Sequence, residues 1–172
     1  MNSEARPIVV LVGPPGAGKS TIGRRLARAL DAELVDSDEL IEQATGQACG
    51  EVFTELGEPA FRVLEAEHVA RALLHDGVVS LGGGAVLTES TRELLKDHDV
   101  VWIDVSVAEG VRRTAGERTR PVLAADDPAE HYRNLLETRR PFYQEVSTFR
   151  VRTNSRSPQQ VVAEVLHHIE ND

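Results

Sequence analysis

Cysteine, lysine, aromatic residues and long apolar runs are all scarce in this chain, and each scarcity removes a class of protein. Its 172 residues include one cysteine, Cys49, so no intramolecular disulfide can form and a disulfide-stapled secreted scaffold is excluded. The longest apolar run, Ile8 to Val12, falls far short of the ~20 residues that a membrane-spanning helix needs. The opening Met-Asn-Ser-Glu-Ala-Arg-Pro carries an acid where a secretory signal would be basic and then apolar. A soluble cytoplasmic protein is expected, with the monomer as its default state. A chain of this length buries about 70% of the surface it exposes when unfolded, enough for one domain to hold a core unaided.

Positive charge is also in short supply. The chain has 19 Lys+Arg against 28 Asp+Glu, a net charge of −9, which argues against general nucleic-acid binding. Lysine occurs only as Lys19 and Lys96, and the other 17 basic residues are arginine. Ten of those arginines lie between Arg112 and Arg156, a stretch of net +4 in a chain whose remainder is −13. Two readings stay open: an unevenly charged solvated surface, or an arginine-lined site for phosphate or carboxylate, which the planar guanidinium recognises bidentately.

Short apolar runs alternate with helical stretches, the pattern of βαβ units around a parallel sheet. Strands are predicted at Ile8 to Val12, Glu33 to Asp36, Val78 to Leu81, Val100 to Val105 and Phe149 to Arg152. A first helix runs from about Lys19 to Leu30, with Ile22, Leu26 and Leu30 on one face. Ser157-Pro158 and Asp127-Pro128 both read as helix starts, an N-cap followed by proline at the first helical position. The last helix buries Val161, Val162, Val165, Leu166 and Ile169. About forty residues, 37–77, read as two or three helices inserted beside the sheet. A polar loop over about 115–127 has the length of a lid.

Gly13-Pro14-Pro15-Gly16-Ala17-Gly18-Lys19-Ser20-Thr21 follows the first strand and opens the first helix, matching G-x-x-x-x-G-K-[ST]. In such a loop the backbone N–H groups surround a phosphate, the helix dipole adds to them, Lys19 reaches the β- and γ-phosphates, and Ser20 ligates Mg²⁺. GTPase switches, ATPase motors and small-molecule kinases all use it, so the reaction stays open. The second strand ends Asp36-Ser37-Asp38, and acids at the carboxyl end of a parallel strand border the ligand crevice. In an extended segment the two would project to one side, one toward a metal shell and one toward a substrate hydroxyl. An ordinary Asp N-cap for the helix through Leu40 and Ile41 is the alternative.

Taken in order, these motifs resemble the shikimate kinases of aromatic amino-acid biosynthesis. The resemblance runs over nearly the whole chain. After the phosphate loop and Asp36-Ser37-Asp38 come Ile41-Glu42, Thr45-Gly46, Phe53, Gly57-Glu58, Phe61-Arg62 and Glu65. Then follow Leu81-Gly82-Gly83-Gly84-Ala85, Arg120-Pro121-Leu123, Arg139 with Pro141 and Tyr143, and Asn154 with Arg156 and Pro158. The resemblance implies an adenylate-kinase-like three-layer α/β/α P-loop fold with a five-stranded parallel sheet in the order 2-3-1-4-5, and ATP-dependent phosphorylation of the 3-hydroxyl of shikimate.

It also implies roles for individual residues. Lys19, Asp38 and Arg120 would be catalytic, with Asp38 holding the acceptor hydroxyl and Arg120 closing over the phosphates from the lid. Arg62 and Arg139 would bind the shikimate carboxylate, Gly83 would donate a backbone N–H, and Glu65, Gly82 and Gly84 would complete the substrate site. Gly16, Ala17, Gly18, Lys19, Ser20 and Thr21 would cradle ATP, with Arg113, Arg156 and Pro158 flanking adenine. Ser20 and Asp36 would serve Mg²⁺. Arg24, Arg25, Arg28, Arg71, Arg92 and Arg133, on predicted helices, read as solvated. The six histidines show no metal-ligand spacing.

Two departures stand out. Ala48-Cys49-Gly50 replaces a bulkier aliphatic residue of the family, and Gly50 would cost a helix interior about 1 kcal/mol relative to Ala. The third strand lacks a terminal Asp, while Asp104, at the end of the fourth, is expected to be structural. A gluconate-type or nucleoside-monophosphate kinase is disfavoured by Phe61-Arg62 together with Gly82-Gly83-Gly84. A silent nucleotide or shikimate sensor would be expected to have lost Lys19, Asp38 or Arg120. A GTPase would need an Asn-Lys-x-Asp segment, which does not occur.

Overall fold

The apolar run near the start of the chain becomes the middle strand of a sheet. In the computed structural model, which describes residues 5–115 and 127–171, strand β1 (Val9–Val12) is buried along its whole length. It pairs in parallel with β3 (Val78–Ser80) and β4 (Val100–Asp104), and β2 (Leu34–Asp36) and β5 (Phe149–Arg152) close the two edges. The order is β2-β3-β1-β4-β5, as the family resemblance implies. A parallel strand apolar on both faces requires helices on both.

Those helices are α1 (Lys19–Ala29), α2 (Ser37–Thr45), α3 (Cys49–Leu56), α4 (Glu58–Ala72), α5 (Glu89–Leu95), α6 (Val107–Thr114), α7 (Pro128–Val146) and α8 (Pro158–Glu170), with a 3-10 turn at Ala85–Leu87. Helices α1 and α8 pack on each other and on the sheet, while α4, α5 and α7 form a second packed group. Asp127 caps α7 by accepting from Glu130 N–H. Ser157 and Gln160 form a reciprocal capping box on α8, which buries Val161, Val162 and Val165 and lays Leu166 and Ile169 against the core. Trp102, Tyr132 and Tyr143 are its largest fully buried side chains.

The inserted stretch forms three helices, α2 to α4, around a small core of its own: Ile41, Val52 and Phe61, with Cys49, Phe53 and Leu64 packed against it. Gly50 occupies the first turn of α3, not its interior, so the full interior penalty does not apply. Glu42 caps that turn, its carboxylate accepting from Cys49 N–H at 3.0 Å.

Arg92 departs from expectation. It is not solvated: its guanidinium lies 4.2 Å from the Phe142 ring centroid, donates to the Val86 carbonyl at 2.8 Å and pairs with Glu145. Asp104 is structural, buried at the end of β4 and bound to Val105 N–H and the Arg150 guanidinium. Among the described residues no helix is long and apolar enough to cross a membrane.

Candidate active site

The carboxyl ends of β1, β2 and β3 carry the phosphate loop, the Asp36-Ser37-Asp38 turn and the glycine turn, so the three motifs converge at one edge of the sheet. Gly16 (φ +81°) and Gly18 (φ +98°) hold left-handed backbone in the phosphate loop, and Gly18 is the N-cap of α1. Lys19 arches back over the loop, its Nζ donating to the carbonyls of Gly13 at 2.7 Å and Pro14 at 3.2 Å.

Asp36 is the N-cap of α2. Its Oδ1 accepts from the N–H of Asp38 at 2.8 Å and of Glu39 at 3.3 Å. Both acids face the same space, though not because the segment is extended: the chain has already turned into helix at Ser37. Burial, reinforced by the Asp38 carboxylate, pushes the Asp36 carboxyl up to about 6 despite its two backbone donors.

Two adjoining cavities share Asp38. One is lined by Lys19, Ser20, Asp36 and Asp38, the other by Asp38, Phe53, Phe61, Arg62, Glu65 and Arg139. Gly82 and Gly83 form the floor of both, and Gly84 extends it in the second. A side chain at any of the three would crowd the site. A Cβ on Gly82 would lie 2.5 Å from Asp38 Oδ1, one on Gly83 3.2 Å from Arg139 Nη1, and one on Gly84 would overlap the Arg62 guanidinium.

Arg62 is aimed by its neighbours. Its Nη1 donates to Glu65 Oε1 at 2.8 Å, and Phe53 and Phe61 pack edge-to-face beside it. Burial raises the Glu65 carboxyl above its ordinary range against the pull of Arg62. Arg139 is buried on α7.

A third depression, on the far side of the phosphate loop, is lined by Gly18, Thr21, Arg113, Arg156 and Pro158. Arg113 is tied at its edges, its Nη1 donating to the Gly16 carbonyl and to Thr153 Oγ1, each at 3.1 Å. Arg156 pairs with Glu164. Arg120 and residues 116–126 of the expected lid lie outside the described residues.

Sequence reasoning gave no role to Ser37 or to two tyrosine hydroxyls. Ser37 Oγ accepts from Gly82 N–H at 3.0 Å. Tyr132 and Tyr143 donate to the carbonyls of Pro15 and Gly83, each at 2.6 Å. Burial pushes Tyr143 up to about 12, so its hydroxyl stays protonated as a donor. The available signal was the placing of Tyr132, Leu136, Arg139 and Tyr143 at helical spacing, which sets all four on the buried face of α7.

A family model described as shikimate kinase matches residues 15–170. A shikimate kinase of Corynebacterium efficiens is 89% identical over 168 residues, covering 98% of this chain and 99% of the relative. The solved structure of a shikimate kinase from Acinetobacter baumannii in complex with shikimate superposes with a TM-score of 0.91 at 34% identity, covering 96% of this chain and 93% of that one. A gluconokinase from Sinorhizobium meliloti, 18% identical with a TM-score of 0.60 over 99% of this chain and 94% of its own, shares the fold alone. On the family model and the near-identical relative together, the chain belongs to the shikimate kinase family.

Proposed function

We propose that the two adjoining cavities bind the phosphates of ATP and shikimate, and that the γ-phosphoryl group passes between them to the 3-hydroxyl of shikimate. The observation that carries this is the position of Asp38 in the lining of both. A carboxylate there can accept a hydrogen bond from the acceptor hydroxyl and take its proton as the hydroxyl oxygen bonds to phosphorus and the bond to the ADP oxygen breaks. Phosphoryl transfer is largely positioning and charge stabilisation. Lys19 supplies a cation from the phosphate loop, and Arg120 would supply a second to the γ-phosphate.

The other end of the acceptor is a carboxylate, which suits Arg62 and Arg139, a guanidinium on each of two separate helices. Phe53 and Phe61 give its ring an apolar wall, Gly83 N–H offers a donor, and Glu65 keeps Arg62 in place. Arg113, Arg156 and Pro158 would flank adenine. With Nη1 already bonded, the guanidinium of Arg113 offers its plane for stacking.

Ser20 and Asp36 fit a hard divalent cation such as Mg²⁺. A hydroxyl and a carboxylate are oxygen donors, and Asp36 is a half-buried acid set against a second acid, which a cation would relieve. Among the described residues no three His, Cys, Asp or Glu side chains gather around a metal position, so phosphate and water would complete its shell. Bound there, Mg²⁺ would neutralise phosphate charge. Helices α2 to α4 act as the substrate-binding insertion and residues 115–127 as the lid of one kinase domain.

ADP release with ATP and Mg²⁺, measured against shikimate, gluconate and AMP, tests this reading. Stimulation by shikimate alone is expected. ADP release that shikimate fails to raise would overturn it.

A further inference from the structure

A phosphate loop works when its N–H groups are already turned toward the anion, and its carbonyls must then be held elsewhere. Here five successive carbonyls accept side-chain donors. Those of Gly13 and Pro14 take Lys19, that of Pro15 takes Tyr132, and those of Gly16 and Ala17 take Arg113 at 3.1 and 3.4 Å. Because the peptide group is planar, fixing the Pro15 carbonyl also fixes the direction of the Gly16 N–H. Tyr132 is 1% exposed, so no water can take the place of its hydroxyl without rearrangement. Room for its ring comes from Gly110 on α6, where a Cβ would overlap the phenol.

Eleven residues along α7, about 16 Å of helix, Tyr143 makes the equivalent bond to the Gly83 carbonyl in the floor of the acceptor cavity. Arg139 lies between the two tyrosines on the same buried face. One helix therefore holds the phosphate loop at one point and the glycine turn at another.

We propose that Tyr132 and Tyr143 are positioning residues with separate duties, Tyr132 setting nucleotide affinity through the Pro15–Gly16 peptide and Tyr143 setting acceptor affinity through the Gly83–Gly84 peptide. This assignment rests on the reading of the two cavities given above. Each hydroxyl acts through backbone and touches no reacting atom.

The test is calorimetric titration of the full chain with ADP in Mg²⁺ and, separately, with shikimate, for Tyr132→Phe and Tyr143→Phe, alongside thermal melts. Both variants lose one buried hydrogen bond, so similar falls in Tm are expected. Tyr132→Phe should bind ADP about tenfold more weakly with shikimate affinity unchanged, and Tyr143→Phe should show the reverse. Gly110→Ala, which displaces the ring but keeps the hydroxyl, should reproduce the ADP defect. Lower Tm in both variants with neither affinity changed, or with both changed alike, would make the tyrosines merely structural and overturn the proposal. If shikimate fails to bind the unaltered protein, the reading of the acceptor cavity falls, and ADP affinity in Tyr132→Phe then decides the proposal alone.

Discussion

The carboxylate of Asp36 accepts a hydrogen bond from the backbone N–H of Asp38 at 2.8 Å, so the acid proposed for the metal also caps the helix that carries the acid proposed for the acceptor hydroxyl. The helix cap is therefore present, and the functional role proposed for the same carboxylate is compatible with it. A cap uses one carboxylate oxygen and leaves the other to face the cavity.

Separating the two duties is possible by substitution. Asp36→Asn keeps an oxygen for the cap and removes the charge, whereas Asp36→Ala removes both. The Asn variant should need several-fold more Mg²⁺ for half-maximal turnover while melting near the unaltered protein. The Ala variant should also lose about 1 kcal/mol of stability. Titrating activity with Mg²⁺ and recording thermal melts checks both.

Glu65 should leave a signature in stability against pH. Its carboxyl is raised by burial, so the folded protein keeps a proton that the unfolded chain has already released. Its contribution is therefore fullest below the ordinary value of 4.5 and is lost as pH rises through the higher folded value. Relative to Glu65→Gln, the unaltered protein should lose stability as pH climbs past 4.5. Denaturant unfolding of the two proteins across that range measures the difference, and a relative gain would show that Arg62 outweighs burial.

Gly84→Ala probes the glycine floor. The new Cβ would overlap the guanidinium of Arg62, the free end of a long side chain that can swing away. The variant should fold, raise the KM for shikimate about tenfold or more, and leave the KM for ATP near its original value. Steady-state kinetics with each substrate varied in turn gives the split.

How far these features were legible in the sequence differs from residue to residue. The strands were, because parallel strands buried on both faces read as unbroken apolar runs, and their ends fell within one residue of Val9–Val12, Leu34–Asp36, Val78–Ser80 and Val100–Asp104. The phosphate loop was legible from its G-x-x-x-x-G-K-[ST] spacing between a strand and a helix. Arg92 was misread because helical periodicity says nothing of what a long side chain meets from another element, here Phe142 and Glu145 of α7. Tyr132 and Tyr143 carry no role in the sequence for the same reason: their rings lie in the core, and only the fold shows that their hydroxyls end on Pro15 and Gly83. The small residues Cys49 and Gly50 looked like a weakness in a helix, yet they sit in its first turn and line both cavities.

The most direct measurement is turnover and nucleotide binding in Asp38→Asn, which keeps the side chain's size and removes its capacity as a base. Its kcat should fall by about 10²- to 10⁴-fold while the Kd for ADP in Mg²⁺ stays within about twofold of the unaltered protein. Near-normal turnover in that variant would contradict the placement of Asp38 between the phosphoryl donor and its acceptor.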